Sequence, residues 1–298
     1  MGLFEEIRKL NIEVSQGEPM SRHTSFRIGG PADLFARPKS AAEMAALIKL
    51  ATEWKTPYFV IGRGSNLLVG DGGIKKLVIA TEGMNYVRVE GESVTCGAGA
   101  SLTCVAAAAR DSALSGLEFA YGIPGSVGGA VVMNAGAYGG EIVDVLSQAT
   151  VLDANGALHK LNSQELELKY RHSNIEERGY IVLEAVFALK RGSVGDITEV
   201  MEKNMQARKD KQPLDYPNAG SAFKRPEGYF AGKLIMDAGL KGFSVGDACV
   251  SEKHAGFVIN KGSATASDVR GLLEKVADTV YDRYGIRLEP EIKFEGEF

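Results

Sequence analysis

From Ser40 to Trp54 apolar residues recur at helical spacing: Met44, Leu47, Ile48 and Ala51 form one stripe, and Ser40 and Glu43 stand three apart as a capping box. The pattern predicts a helix closed by Pro57. The next run, YFVIG at 58 to 62, reads as a short strand leading directly into the glycine loop GRGSNLLVGDGG at 62 to 73. Alternation from Tyr86 to Glu90 and from Ser93 to Cys96 around Gly91 predicts a hairpin, as does Thr150 to Leu161 around Asn155-Gly156. Tyr180 to Leu189 is a largely apolar strand. Past residue 195 the texture changes: Asp196 to Lys211 is a charged helix, and Pro213, Pro217 and Pro226 punctuate an irregular loop. Beyond lie a helix near Tyr229 to Ala238, strands around Phe243 to Val250 and Gly256 to Asn260, and a helix from about Asp268 to Tyr284. That last helix presents Val269, Leu272, Leu273, Val276 and Val280 on one face and stops at Gly285.

Between these elements runs YGIPGSVGGAVVMNAGAYGG, residues 121 to 140, where glycines alternate with Ile123, Val127, Val131, Val132 and Met133. A flexible linker would carry serine and other polar residues instead. Glycine admits positive φ and lets main-chain N–H groups approach a ligand, and successive donors form an anion-binding nest. The expectation is that this backbone and that of residues 62 to 66 bind a phosphorylated cofactor. Two serines, Ser65 and Ser126, add hydroxyls, and Asn66 and Asn134 stand beside the two loops.

Composition narrows the class. The 298 residues are 45% hydrophobic and 24% charged, as in a globular protein, and no apolar run approaches the length of a membrane span. A formal charge of −4 leaves no basic footprint for nucleic acid. The amino terminus, MGLFEEIRKLN, lacks the apolar core of a signal peptide, and Glu6 occupies the position where myristoylation needs Ser or Thr. Cys96, Cys104 and Cys249 form no CxxC pair, and the odd number argues against a disulfide framework and for the cytoplasm. The histidines at 23, 159, 172 and 254 lack metal-ligand spacing, so no metal is expected.

Two familiar phosphate motifs fail. Gly97-Ala98-Gly99 follows a strand, but Leu102 replaces the third glycine of a dinucleotide fingerprint. Gly228 and Gly232-Lys233 are one residue too close for a P-loop, and Leu234 stands where a hydroxyl must bind magnesium.

GRGSNLLVGDGG, YGIPGSVGGAVVMNAGAYG, KYRHS at 169 to 173, NAGSAFKRP at 218 to 226 and LEPEIKFEG at 288 to 296 together resemble the motif set of the UDP-N-acetylenolpyruvoylglucosamine reductase family, flavoenzymes of bacterial peptidoglycan synthesis. The resemblance spans nearly the whole chain and matches the shorter form of the family, since no long insertion carries an extra tyrosine loop to cover the substrate. It implies an α+β protein. Residues 1–200 would form an FAD-binding module of the vanillyl-alcohol-oxidase (PCMH) type in two subdomains, about 1–83 and 84–200, with 201–298 as an α+β substrate domain. The implied cofactors are FAD and NADPH, and the implied substrate is UDP-N-acetylglucosamine enolpyruvate. Candidate FAD contacts are Gly62, Arg63, Gly64, Ser65, Asn66, Leu67, Gly122, Ile123, Pro124, Gly125, Ser126, Val127, Gly128, Asn134, Gly136, Ala137 and Arg208.

The implied reaction is that of a UDP-N-acetylmuramate dehydrogenase: hydride from flavin N5 adds β to a carboxylate, and charge gathers on the α carbon. By resemblance Arg171 holds that charge, Ser221 donates the proton, and Glu291, protonated or paired with Arg171 or Lys293, stabilises the enolic species. A guanidinium suits a planar carboxylate because it forks onto both oxygens. Lys211, Arg225 and Lys233 are candidates for substrate phosphate and sugar, with Lys253 a weaker one. Glu289 reads as a solvated neighbour, His254 as ordering its own loop, and Tyr121 and Tyr138 as packing near the flavin. Two alternatives stay open: an FAD-dependent oxidase of another small alcohol or sugar, and a catalytically silent nucleotide-sugar binding protein.

Overall fold

The structure, a computed structural model, describes residues 2–298. It is α+β, and its chain divides into two compact units. The first holds the chain up to Gln16, Leu34–Arg63 and Lys76–Ala207; the second holds Gly17–Asp33, Gly64–Lys75 and Arg208–Phe298. This departs from a linear boundary near residue 200. The reason is burial: Phe26, Ile28 and Leu68, all early in the chain, are side chains of the second hydrophobic core, among Ala222, Phe223, Leu272 and Val276.

Among the described residues the helices are α1 (Leu3–Lys9), α2 (Ala41–Glu53), α3 (Leu102–Asp111), α4 (Val127–Val132), α5 (Val194–Lys211), α6 (Ala231–Asp237) and α7 (Ala266–Tyr284). In the first unit a five-stranded antiparallel sheet runs in the order Leu158–Leu161, Leu146–Leu152, Ile181–Ala188, Ser93–Gly97, Val87–Glu90. Its two hairpins are those read from alternation, with Val89 opposite Val94 and Leu152 opposite Leu158. Strands Tyr58–Ile61 and Ile74–Ala80 pair in parallel in a separate four-stranded sheet. Helix α2 buries Met44, Leu47, Ile48 and Ala51 as its period requires, and the Ser40 hydroxyl accepts the Glu43 N–H. The reciprocal half of the box goes one residue back, to the Lys39 N–H, 2.8 Å from Glu43 Oε2.

In the second unit an antiparallel sheet orders Asn218–Ser221, Phe257–Asn260, Ala248–Val250 and Ser244–Val245. A parallel pair joins Leu67–Val69 to Lys293–Glu295. Helix α7 begins two residues earlier than its apolar stripe indicates, because Thr265 and Asp268 close a reciprocal capping box; Gly285 ends it at φ +69°. Its first turn has a further partner. The Asp71 carboxylate accepts the N–H groups of Ala266 (2.8 Å) and Ser267 (3.0 Å) and the Ser267 hydroxyl (2.9 Å). Partial burial raises the Asp71 carboxyl, but these three donors outweigh it and hold the group below its ordinary range.

Asp71→Ala is therefore expected to lower stability by about 1 kcal/mol, the usual worth of a lost helix cap, in a denaturant titration at pH 7. Because the native carboxyl is more acidic than the unfolded one at about 3.9, its contribution is complete above that pH and fades as pH falls through the depressed native value. Wild type and variant should converge in acid; a gap that widens below pH 4 would contradict this.

Candidate active site

In the first unit Gly62 lies against the second glycine segment. A Cβ at Gly62 would lie 2.2 Å from Ser126 Oγ, so the strand end at Ile61 can reach the second glycine segment only as glycine. Ser126 is buried, and its Oγ caps α4 by accepting the Gly129 N–H at 3.4 Å. The expectation of a main-chain nest in residues 121 to 140 is corrected here. The N–H groups of Ile123, Gly125, Val127 and Gly128 donate to the carbonyls of Ala120, Ile123, Ala100 and Ala98, and that of Gly122 to Thr103 Oγ1. Nearly every donor of this segment is turned inward, four-residue spacing having placed a helix where glycine density alone suggested bare loop. Gly97-Ala98-Gly99 does its work there: it abuts residues 81 to 84 so closely that Cβ atoms at Gly97 and Gly99 would meet the carbonyls of Met84 and Thr81.

Residues 63 to 66 are different. Among the described residues, no internal acceptor takes the N–H groups of Arg63, Gly64, Ser65 and Asn66. Gly64 adopts φ +57°, and its α carbon lies so close to the His23 carbonyl that a Cβ would stand 2.0 Å from that oxygen. Consecutive unspent amides around a left-handed glycine have the form of an anion nest. The residues present thus fit a dinucleotide diphosphate.

Asn134, a candidate cofactor contact, has its side chain fully engaged. It is buried; its Nδ2 donates to Glu141 Oε2 (2.8 Å) and to the Lys169 carbonyl (3.2 Å), and its Oδ1 accepts the Val143 N–H (2.9 Å). The Ser173 hydroxyl donates to the Val132 carbonyl at 2.7 Å. These bonds fasten KYRHS to the end of α4. Within KYRHS, Lys169 and His172 exchange both backbone hydrogen bonds at 3.1 Å, leaving Tyr170 and Arg171 at the tip. Arg171 sits at φ +52°, rare for a side-chain-bearing residue, with its guanidinium 5.5 Å from the Tyr170 ring centroid. Gly136 and Ala137 pair with Gly140 and Glu141, and Tyr138 is exposed between them.

In the second unit Ser221 and Glu291, seventy residues apart in sequence, are brought together. Ser221 ends the strand Asn218–Ser221; the next residue, Ala222, accepts the Glu291 N–H at 2.9 Å, and Phe223 bridges Pro290. Glu289 points to solvent beside Lys224, 3.2 Å away, as a neighbour without chemistry would. Ser25 is a residue that sequence reading missed. Its N–H donates to the Gly64 carbonyl (3.2 Å) and its hydroxyl to the Asn218 carbonyl (2.6 Å), tying the amide loop to the strand that ends in Ser221. The only signal for it in sequence was its place in SRHTSFRIGG.

The basic candidates are dispersed. Arg208 is buried in the last turn of α5 and donates to Gln212 Oε1 at 3.0 Å. Lys211 is exposed at the end of that helix. Arg225 lies 4.0 Å from the centroid of the exposed Phe230 ring, Lys233 pairs with Asp237 at 2.7 Å, and Lys253 donates to the Lys209 carbonyl. His254 Nδ1 accepts the Gly256 N–H at 3.1 Å, and burial lowers the ring's basicity, so it orders its own loop as a neutral imidazole. Burial and the neighbouring Glu184 push the Cys96 thiol up to about 12, which leaves it unreactive.

Comparison with known proteins agrees with this architecture. Residues 32–162 match the family described as FAD binding domain, and residues 212–295 match that described as UDP-N-acetylenolpyruvoylglucosamine reductase, C-terminal domain. At the level of fold alone, a Physcomitrella patens BBE-like protein superposes with a TM-score of 0.50 at 16% identity, over 64% of this chain and 45% of its own. An FAD-binding oxidoreductase with a distinct C-terminal domain is the class so defined. The UDP-N-acetylenolpyruvoylglucosamine reductase of Agathobacter rectalis is 56% identical over 296 residues, covering 95% of this chain and 94% of its own, and that of Clostridium novyi is 52% identical over 285 residues, covering 96% and 93%. The Thermus caldophilus enzyme of the same name superposes with a TM-score of 0.82 at 36% identity, covering 95% and 98%. The chain belongs to the UDP-N-acetylenolpyruvoylglucosamine reductase family, oxidoreductases of peptidoglycan synthesis and so of cell-wall formation.

The geometry at Gly64 is open to test. Gly64→Ala and Gly228→Ala both place a methyl at positive φ, +57° and +76°, but only the first meets a backbone atom, the second meeting nothing within 4 Å. Gly228→Ala should cost roughly 1 kcal/mol or slightly more through strain alone. Gly64→Ala should cost clearly more and lower the flavin content of the purified protein. Equal costs would show that the close approach to His23 is not a constraint.

Proposed function

We propose that the chain is an NADPH-dependent flavoprotein that reduces UDP-N-acetylglucosamine enolpyruvate to UDP-N-acetylmuramate, in the cytoplasm. The observation that carries the reading is the pairing that sets Glu291 beside Ser221 in the unit that also carries the unspent amides of Gly64, Ser65 and Asn66. No helix among the described residues is long and apolar enough to cross a membrane, and the three cysteines are free thiols.

Bound FAD, once reduced by NADPH, supplies the hydride that adds to the carbon β to the substrate carboxylate. The chain's own residues hold the ligands and manage the resulting charge and proton. The amides of Arg63 to Asn66 would hold the cofactor diphosphate, with Ser65, Leu67 and Arg208 as further candidate contacts. The glycine surface of Gly122 to Gly128, with Gly136 and Ala137, admits the cofactor by the absence of side chains more than by donated hydrogen bonds. As negative charge moves from the α carbon into the carboxylate, Arg171 meets both oxygens with a planar guanidinium. A preorganised donor aimed at such developing charge contributes roughly 3 to 4 kcal/mol. Ser221 gives its hydroxyl proton to the α carbon, completing the C–H bond, and regains a proton from solvent. Glu291, protonated or paired with Arg171 or Lys293, shares the enolic charge without repelling the substrate carboxylate. Lys211, Arg225 and Lys233 are the cations for the UDP and sugar portions; the exposure of all three suits a ligand that arrives from water.

Two outcomes are expected. The purified protein should be yellow and should bleach with NADPH; a colourless protein that FAD cannot restore would end the reading. Ser221→Ala should keep flavin reduction by NADPH and slow reoxidation by the enolpyruvyl ether roughly 10²-fold or more in stopped flow. If peroxide formed rapidly from an alcohol or sugar while the enolpyruvyl ether left the reduced flavin unchanged, the protein would be an oxidase instead.

A further inference from the structure

Sequence placed Asn66 among cofactor contacts, yet its side chain is committed elsewhere. The Asn66 Nδ2 donates to the main-chain carbonyl of Glu291 at 3.1 Å, and the Asn66 carbonyl accepts the Lys293 N–H at 3.0 Å. The parallel pairing of Leu67–Val69 with Lys293–Glu295 then continues from this point. On its other side Glu291 is fixed by its N–H on the Ala222 carbonyl at 2.9 Å. Both backbone polar groups of Glu291 are thus spoken for, one by the residue after Ser221 and one by the amide loop. Ala222 sets its distance from the proton donor. Asn66 sets where along that edge, and at what angle, the carboxyl-bearing residue stands.

Resting on the roles given above to Ser221 and Glu291, we propose that the Asn66 side chain is a positioning group for Glu291, while the Asn66 main-chain N–H remains among the donors of the anion nest. One residue thereby serves both ends of the reaction with different atoms: its backbone the cofactor, its amide the acid that meets the substrate. A primary amide suits the task because it donates to a carbonyl without adding charge beside a diphosphate. An aspartate of the same shape does neither, since its ionised carboxylate only accepts. Removing the amide leaves the Glu291 carbonyl without this donor and frees the peptide to rotate. Misplacement of a reacting group by about 1 Å is enough to slow a step on the order of 10²-fold.

The test compares the two half-reactions in one preparation of the FAD-bound protein, so that the amount of bound flavin cancels. For Asn66→Ala the expected result is reoxidation by the enolpyruvyl ether slowed roughly 10-fold or more relative to flavin reduction by NADPH. If the amide acts through Glu291, the effect should shrink to within about two-fold in a Glu291→Gln background, because interacting positions are non-additive. Should Asn66→Ala fail to fold, Asn66→Asp keeps the shape and must show the same imbalance. The proposal is overturned if both half-reactions fall in step, if the Ala penalty multiplies undiminished on Glu291→Gln, or if Asn66→Asp keeps the wild-type ratio. A wild-type protein whose reduced flavin leaves the enolpyruvyl ether untouched would instead refute the reading on which this one rests.

Discussion

The close approach of main chain to main chain at Gly64 is the constraint on which the second unit depends. Because no side chain separates it from His23, the loop of residues 64 to 66 can lie flat against the segment from Gly17 to Asp33, where Ser25 fastens its Gly64 carbonyl. From that seat one hydroxyl reaches the strand ending in Ser221 and one amide reaches Glu291. The loop of residues 64 to 66, Ser221 and Glu291 are in this way parts of one hydrogen-bonded wall, although they come from three separated stretches of sequence. The wall is also backed by apolar burial: Phe26, Ile28 and Leu68 carry the same early segments into the core formed by α6 and α7.

The two glycine-rich segments do opposite things with their backbones. In residues 122 to 129 most of the amides are consumed by the carbonyls of Ala98, Ala100, Ala120 and Ile123 and by two hydroxyls, so glycine there serves compactness: it lets Gly62 touch Ser126 and Gly128 touch Ala98. In residues 63 to 66 the amides are left unspent, and glycine serves conformation, through φ +57° at Gly64. Only the second use leaves consecutive donors of the kind that form an anion nest. The same economy appears at KYRHS, where Asn134 and Ser173 fasten a tight turn so that Arg171 can stand at its tip in an uncommon backbone conformation. Strain of that kind persists where surrounding bonds over-determine it, as they do here.

Much of this was legible in the chain. Helices α2 and α7 announced themselves by apolar stripes and capping residues, and the two hairpins by alternation about Gly91 and Asn155-Gly156, because these signals are local. The family was legible through five motifs in order. What escaped was whatever depends on partners distant in sequence. The parallel pair of Leu67–Val69 with Lys293–Glu295 has no local signature, nor has the membership of Gly17–Asp33 and Gly64–Lys75 in the second unit. Helix α4 was hidden by its glycines, which lower helix propensity yet are tolerated because Ser126 caps it and the core buries Val127 and Val131. Ser25 and the Asn66 amide were invisible as positioning groups because a short polar side chain acquires such a role only from the carbonyl that folding brings opposite it.

The most direct test is a crystal structure of the protein soaked with FAD and the enolpyruvyl nucleotide sugar. The account predicts the cofactor diphosphate on the N–H groups of residues 63 to 66, and Ser221 Oγ and the Glu291 carboxyl both facing the enolpyruvyl group, with the Asn66 amide still on the Glu291 carbonyl. A diphosphate held away from that loop, or an enolpyruvyl group out of reach of Ser221 and Glu291, would contradict it.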